Sequence, residues 1–120
     1  MSKSILIHEN GGPEKMQLEE VEVGKPSPGQ VKLRHTAIGL NFIDVYTRSG
    51  LYQTPLPNAV GREAAGVIVE VGPRVKGFKK GDRVAYCGVL GAYCQERLMG
   101  VDQLVKVPTG VSDEQAAAIM

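Results

Sequence analysis

Apolar and polar positions alternate with a period of two along several stretches of the chain, and each stretch ends near glycine or proline. Ser4 to His8 is the first, closed by Asn10-Gly11-Gly12-Pro13, and Met16 to Val23 is the second, closed by a proline-rich turn over Lys25 to Gly29. In Gln30 to Leu40, Val31, Leu33 and His35 share one face and Lys32, Arg34 and Thr36 the other. The alternation predicts an inward His35. With no second histidine or carboxylate at ligand spacing, it reads as a hydrogen-bonded core histidine rather than a catalyst. The period then changes, and Ile43 to Ser49 predicts a helix of about two turns with Gly50 as its C-terminal cap. Phe42 and Tyr46 fall on one helix face, while Asp44 and Arg48, at the same spacing, predict an exposed ion pair. Pro55 and Pro57 stiffen the loop from Tyr52 to Asn58 and argue against regular pairing there.

The second half of Val60 to Gly72 reads as a buried strand. Gly81-Asp82 supplies a turn into a strand through Tyr86, Gly91 to Glu96 begins another, and Gln103 to Val107 is the last. About seven strands and one short helix predict a mostly β partial barrel or sandwich. At the end, Ser112-Asp113-Glu114-Gln115 fits a capping box with Ser112 as N-cap, opening a helix through Ala116, Ala117, Ala118, Ile119 and Met120. So short a helix is unstable alone, so Ala116 to Met120 is expected to fray and the chain to be part of something longer.

Composition narrows the function classes. At 120 residues and 42% hydrophobic content the chain has material for one modest core, and 15 glycines with 7 prolines suit short strands joined by tight turns. Lys plus Arg number 14 against 13 Asp plus Glu, so the net charge of +1 offers no one-sign field to nucleic acid or an anionic membrane. The apolar run Ile5 to Ile7 is too short for a signal peptide or a membrane span, and a cytoplasmic location is expected. Cys87 and Cys94 are separated by a spacer that suits neither a zinc ribbon nor a redox pair. They read as reduced thiols, small apolar fillers in or near a strand.

Aromatics are only 5% of the chain, yet Phe42, Tyr46 and Tyr52 crowd together behind Asn41. The pattern alone favours a plug at one end of a barrel. Gly61 to Gly66 is glycine-rich, but no Gly-x-Gly-x-x-Gly stands between a strand and a helix and no Walker pattern occurs, so no dinucleotide phosphate loop is expected.

Taken in order, GGPE, GLNFIDVYTRSGLY, GREAAGVIVEVG, FKKGDRV, GAYCQE and LVKVPTGVSDEQAAA make the chain similar to the catalytic domain of the NADPH:quinone oxidoreductases. These form, with zeta-crystallin, the zinc-free branch of the medium-chain dehydrogenases, and the likeness covers essentially the whole chain. The resemblance implies a GroES-like partial barrel over 1–120 with a short helix after the third strand and a truncated C-terminal helix. It also implies that the family's Rossmann domain is absent. It places Asn41, Tyr46 and Tyr52 in the cleft where hydride or electrons pass from NADPH to a small-molecule quinone, with Asn41 and Tyr46 beside the nicotinamide. Aromatic walls would hold flat rings, while an amide and phenols would donate to a carbonyl oxygen gaining charge.

Zinc is not expected, because Asn41 stands where zinc-dependent relatives carry cysteine and Gly61-Arg62-Glu63 where they carry Gly-His-Glu. Glu63 is then assigned a structural role, paired with a backbone group or with Arg62, and Arg62 is read as exposed. The resemblance further implies a homodimeric parent and an isolated domain that is inactive, while the balanced charge argues against nucleic acid or membrane as partner. Two other readings stay open: a non-catalytic GroES-like binding module, as the fold alone would allow, and a relative of the zinc-dependent alcohol dehydrogenases.

Overall fold

The computed structural model describes residues 1–119. Its elements are β1 (Ser2–Ile7), β2 (Gln17–Val21), β3 (Gln30–Ile38), α1 (Phe42–Ser49), β4 (Asn58–Ala59), β5 (Glu63–Val71), β6 (Arg83–Cys87), β7 (Glu96–Gly100), β8 (Val105–Lys106) and α2 (Asp113–Ala116), with single 3-10 turns at Pro13–Lys15 and Val101–Gln103. They form two antiparallel sheets, ordered β2-β1-β4 and β7-β3-β5-β6-β8. The fold is mostly β, as the alternation predicts. β4 is the strand the sequence pattern misses: the prolines bar pairing only as far as Pro57, and the next two residues pair with β1, Asn58 opposite Ile7 and Ala59 opposite Leu6.

The alternation in β3 has its predicted effect. Val31 and Leu33 are fully buried and pack with Ala64, Ile68, Val84, Tyr86, Met99 and Leu104 into the principal core. Lys32 and Leu33 in β3, and again His35 and Ala37, are separated by irregularities in the register against β5. Such breaks increase local twist and bend the strand, which suits a sheet that curls.

Gly91 to Gln95 does not start a strand as the pattern suggests; β7 begins only at Glu96. The reason is that this segment serves several strands at once. Tyr93 N–H donates to Val60 O at 2.8 Å, Ile5 N–H to Tyr93 O at 2.8 Å, Gln95 N–H to Lys3 O at 2.9 Å and His35 N–H to Gln95 O at 2.8 Å. An extended segment bonded to β1 on one side and β3 on the other ties the two sheets together.

The capping box at the C-terminal end is as read: Gln115 N–H donates to Ser112 Oγ at 3.1 Å, and Ser112 N–H to Gln115 Oε1 at 3.0 Å. Its packing differs from expectation. Ala116 and Ala117 are buried and pack with Ala65 and Ala85, and Arg83 Nε and Nη2 both reach Asp113 Oδ1, at 3.0 and 2.7 Å. Hydrogen bonds from Arg83 and then Thr36 hold the Asp113 carboxyl below its ordinary range. The want of a packing partner, the reason given for fraying, therefore does not hold for Ala116 and Ala117. Ala118 and Ile119 are exposed, and Met120 lies outside the described residues. Of the two thiols, Cys94 is buried but Cys87, at the end of β6, is exposed, so only Cys94 acts as a filler. Among the described residues no helix is long and apolar enough to cross a membrane.

Candidate functional site

Where β3 ends, Gly39 brings the chain against Glu63 at the start of β5. Gly39 N–H donates to Glu63 O at 3.0 Å. A Cβ at Gly39 would collide with the Ala117 carbonyl oxygen and lie 2.6 Å from Glu63 Oε2, so this close approach requires glycine. Two residues on, Asn41 adopts an extended conformation and caps α1 in a capping box with Asp44. Gly50 closes the helix in the left-handed conformation, φ 90°, as the sequence predicts.

The predicted exposed ion pair between Asp44 and Arg48 is not what forms. Asp44 is buried, and its Oδ2 accepts from Asn41 N–H at 3.1 Å and from Tyr93 Oη–H at 2.7 Å. Arg48 Nε donates instead to Gly11 O at 3.1 Å. The helix turns Asp44 and Thr47 inward because the first is needed at its N-terminus. Burial, and after it the hydrogen bond to the Asp44 carboxylate, pushes the Tyr93 phenol well above its usual value, so Tyr93 remains a donor.

Glu63 is 1% exposed, and its Oε2 accepts from Asn41 Nδ2 at 2.7 Å. Asn41 is thus a side-chain partner of Glu63, one that the sequence pattern does not assign to it. Arg62 is half-buried rather than exposed, and its Nε is buried without a hydrogen bond.

The aromatic cluster is an edge-to-face row, not a plug. Phe42 and Tyr46 have ring centroids 5.4 Å apart at 65°, and Tyr46 and Tyr52 5.5 Å apart at 66°. Phe42 is 72% and Tyr52 50% exposed, and none of the three belongs to a core cluster. A cavity of about 380 Å³ beside the row is lined by Leu40, Asn41, Phe42, Asp44, Val60 and Tyr93, among others. Of the sequence-predicted site residues, Asn41 lines this cavity, while Tyr46 and Tyr52 stand outside it and connect through Phe42. Asp44 and Tyr93 are the supporting residues that sequence reading missed, and Glu63, given a structural role there, was not connected to Asn41. The Asn-x-x-Asp spacing could have found Asp44; Glu63 and Tyr93 reach the site only through the fold.

His35 occupies a separate network. Its Nδ1 lies 2.7 Å from Cys94 O, and its Nε2 lies 2.9 Å from the Tyr86 hydroxyl. That hydroxyl also accepts from Arg97 Nη1 at 3.1 Å, and the Arg97 guanidinium sits 5.3 Å from the Tyr86 ring centroid. Burial lowers the His35 pKa and raises Tyr86 to about 12 and Cys94 to about 11. Neutral His35 donates from Nδ1 to the carbonyl and accepts at Nε2, which is the core role predicted for it. Among the described residues no group of three His, Cys, Asp or Glu side chains could hold a metal ion.

A carboxylate-clamped amide beside a half-open aromatic row can hold a flat ring and offer polar groups at its edge. The alcohol dehydrogenase GroES-like domain model matches residues 27–116. Among curated relatives, a quinone oxidoreductase from Pseudomonas aeruginosa is 48% identical over all of this chain and 38% of its own length. A 2-haloacrylate reductase from a Burkholderia species is 52% identical over 90% of this chain and 34% of its own length. Among solved structures, Pseudomonas syringae quinone oxidoreductase superposes with a TM-score of 0.94 at 50% identity, covering 100% of this chain and 38% of that one. Escherichia coli quinone oxidoreductase complexed with NADPH gives 0.93 at 43% identity, covering 98% and 37%. The chain thus spans well under half the length of the relatives it matches, and over that span it belongs to the alcohol dehydrogenase GroES-like domain family.

Proposed function

We propose that this chain is the substrate-side domain of a longer, NADPH-dependent quinone reductase. The observation that carries the reading is the solvent-facing row Phe42–Tyr46–Tyr52 headed by an amide that a buried carboxylate holds in place. Exposed aromatic rings at a helix with buried polar support are expensive to keep as mere packing. The names of the quinone oxidoreductase relatives support the substrate class, and the NADPH complex of the Escherichia coli protein supports the cofactor.

NADPH, when bound, would supply the hydride. This chain's residues suit the nicotinamide end of such a cofactor: Tyr46 and Tyr52 offer aromatic rings and phenols beside the cavity, and Asn41 offers an amide at the row's head. Their work is to orient two flat rings, exclude water between them and donate hydrogen bonds to a carbonyl oxygen that gains negative charge. The pyrophosphate has no glycine-rich turn to bind in this chain, so the 120-residue chain alone is assigned no turnover and only weak NADPH binding. Titration calorimetry on it should give a dissociation constant weaker than about 1 μM, equivalent to less than about 8 kcal/mol. The same reading gives the parent a homodimeric state, a cytoplasmic setting that suits two free thiols, and no zinc. Stoichiometric zinc in the purified protein would overturn the last point.

The direct test uses the full-length protein. Asn41→Ala and Tyr46→Phe should lower turnover about tenfold to a hundredfold, the loss of a transition-state hydrogen bond worth about 1 to 3 kcal/mol. Unchanged turnover in both would return the row to a packing role. The 2-haloacrylate reductase relative favours a second reading, hydride delivery to a polarised carbon–carbon double bond, so a haloacrylate belongs in the same assay beside the quinones.

A further inference from the structure

We infer that Glu63 is a positioning residue, which sets the direction in which Asn41 presents its amide to the bound rings. The inference rests on the proposed function and deepens it. A carboxylate only accepts hydrogen bonds, so the group of Asn41 that faces Glu63 must be the nitrogen, and the 2.7 Å contact is of charge-assisted length. The capping box turns the rest of the side chain toward the first turn of α1. One Nδ2 hydrogen is held by Glu63, and the second, which has no partner among the described residues, remains for a ligand. Asn41 is thereby fixed as a donor, the polarity required beside an oxygen gaining negative charge, and is kept from turning its carbonyl oxygen to that position.

The clamp is built from several parts of the fold. Glu63 is placed by β5, opposite Cys87 in β6, and is 1% exposed. Its own carbonyl receives the Gly39 N–H, which fixes the two-residue approach to Asn41. A buried carboxylate in water-poor surroundings holds a partner more rigidly than an exposed one. The absence of a side chain at Gly39 leaves room for Glu63 Oε2, and the buried end of α2 supplies the carbonyl of Ala117 behind it.

The test is a double-mutant cycle in the full-length protein with Asn41→Ala, Glu63→Gln and the two combined. Glu63→Gln lets the facing amides rotate, and it should lower kcat about tenfold with little change in melting temperature. In the Asn41→Ala background the same substitution should change kcat less than twofold, because Glu63 acts through Asn41. Equal losses in both backgrounds, or a silent Glu63→Gln beside a damaging Asn41→Ala, would overturn the positioning role while leaving the site reading intact. A silent Asn41→Ala would overturn both.

A second readout does not depend on turnover. In asparagine-labelled protein without cofactor, one Asn41 Nδ2 proton should resonate well downfield of its twin, and Glu63→Gln should bring the two together. An unsplit Asn41 pair in the wild type would overturn the inference without any variant. Should Glu63→Gln fail to fold, Glu63→Asp keeps the charge one methylene short, and it should produce the same loss of splitting and of kcat.

Discussion

Two polar networks lie close to the core of this domain, and they differ in what they leave unspent. Around His35 the chain runs from Arg97 to the Tyr86 hydroxyl, to Nε2 of His35, and from Nδ1 to the carbonyl of Cys94. Every ring nitrogen and the phenol have protein partners. Around Asn41, Glu63 holds the amide and Tyr93 holds Asp44 Oδ2 while Asp44 Oδ1 stays buried without a hydrogen bond, and the network ends at an aromatic row open to solvent, where the Tyr46 and Tyr52 hydroxyls make no hydrogen bond among the described residues. A closed network of buried polar groups specifies structure; an open one has capacity left for a ligand. The histidine, the residue type most often suspected of catalysis, is here in the closed one.

If that contrast is right, substitutions in the closed network should cost stability, and the largest loss should come from Arg97→Ala. Arg97 donates to Tyr86 Oη, to Val89 O at 3.5 Å and to Leu90 O at 2.9 Å. Its removal strips acceptors of a charged donor and removes the cation–π contact, so about 2 to 3 kcal/mol is expected from urea unfolding of the 120-residue chain. A loss below about 0.5 kcal/mol would show that the network is ornamental.

Tyr86→Phe should cost somewhat less, about 1 to 2 kcal/mol, because the ring and its packing stay while His35 Nε2 and Arg97 each lose one partner. Circular-dichroism melts beside those of Tyr46→Phe sharpen the comparison. The Tyr46 variant should melt within a few degrees of the parent, since its hydroxyl has no partner to lose among the described residues.

A smaller effect should appear with pH. Burial foremost, and the charge of Arg97 with it, lowers the folded-state pKa of His35 below its ordinary 6.5, against the opposing bond to Cys94 O. The fold therefore favours the neutral ring, and this contribution is fully present above about pH 6.5. It declines as pH falls from there toward the lowered folded-state value, because the unfolded chain takes up the proton first. Protonation would also require the Tyr86 hydroxyl to turn its hydrogen away and accept from Nε2–H beside the donor from Arg97. Melting temperature should fall between pH 7.5 and pH 5, and His35→Gln should flatten that slope; an equally steep slope in the variant would assign it to other groups.

How legible the molecule was in its sequence follows the range of the interactions. Val31, Leu33 and His35 were placed correctly by alternation, Gly50 by its position after the helix, and Ser112 with Gln115 by capping chemistry, because each depends on neighbours a few residues away. Asp44 was misread since the i,i+4 partner rule competes with the capping box, and the cap prevailed once Tyr93 arrived from 49 residues away. Glu63 meets Asn41 across 22 residues, through the pairing of β3 with β5. No local pattern announces that contact. Gly91 to Gln95 misled for a related reason: its hydrogen bonds are shared among β1, β3 and Val60 rather than returned to one partner strand. The family resemblance drew attention to Asn41, Tyr46 and Tyr52, while the residues that support them had to be read from the structure.

The smallest effect is expected at Tyr52→Phe, and it is the most sensitive check on whether the two regions differ in kind. Tyr52 is 50% exposed, it touches Tyr46 edge to face, and its backbone N–H donates to Tyr46 O at 3.2 Å. Phenylalanine preserves the ring contact, worth about 0.5 to 1.5 kcal/mol, and the backbone bond, and removes only a hydroxyl that makes no hydrogen bond among the described residues. Stability of the 120-residue chain should therefore stay within about 0.5 kcal/mol of the parent. In the full-length protein the change should show mainly as a KM for the quinone raised about threefold with kcat nearly constant, the pattern of a group that binds ground and transition states alike. A stability loss as large as that of Tyr86→Phe would mean that Tyr52 belongs to a closed network after all. The aromatic row would then join the core, and the distinction between the two regions would fail at the residue where it is easiest to see.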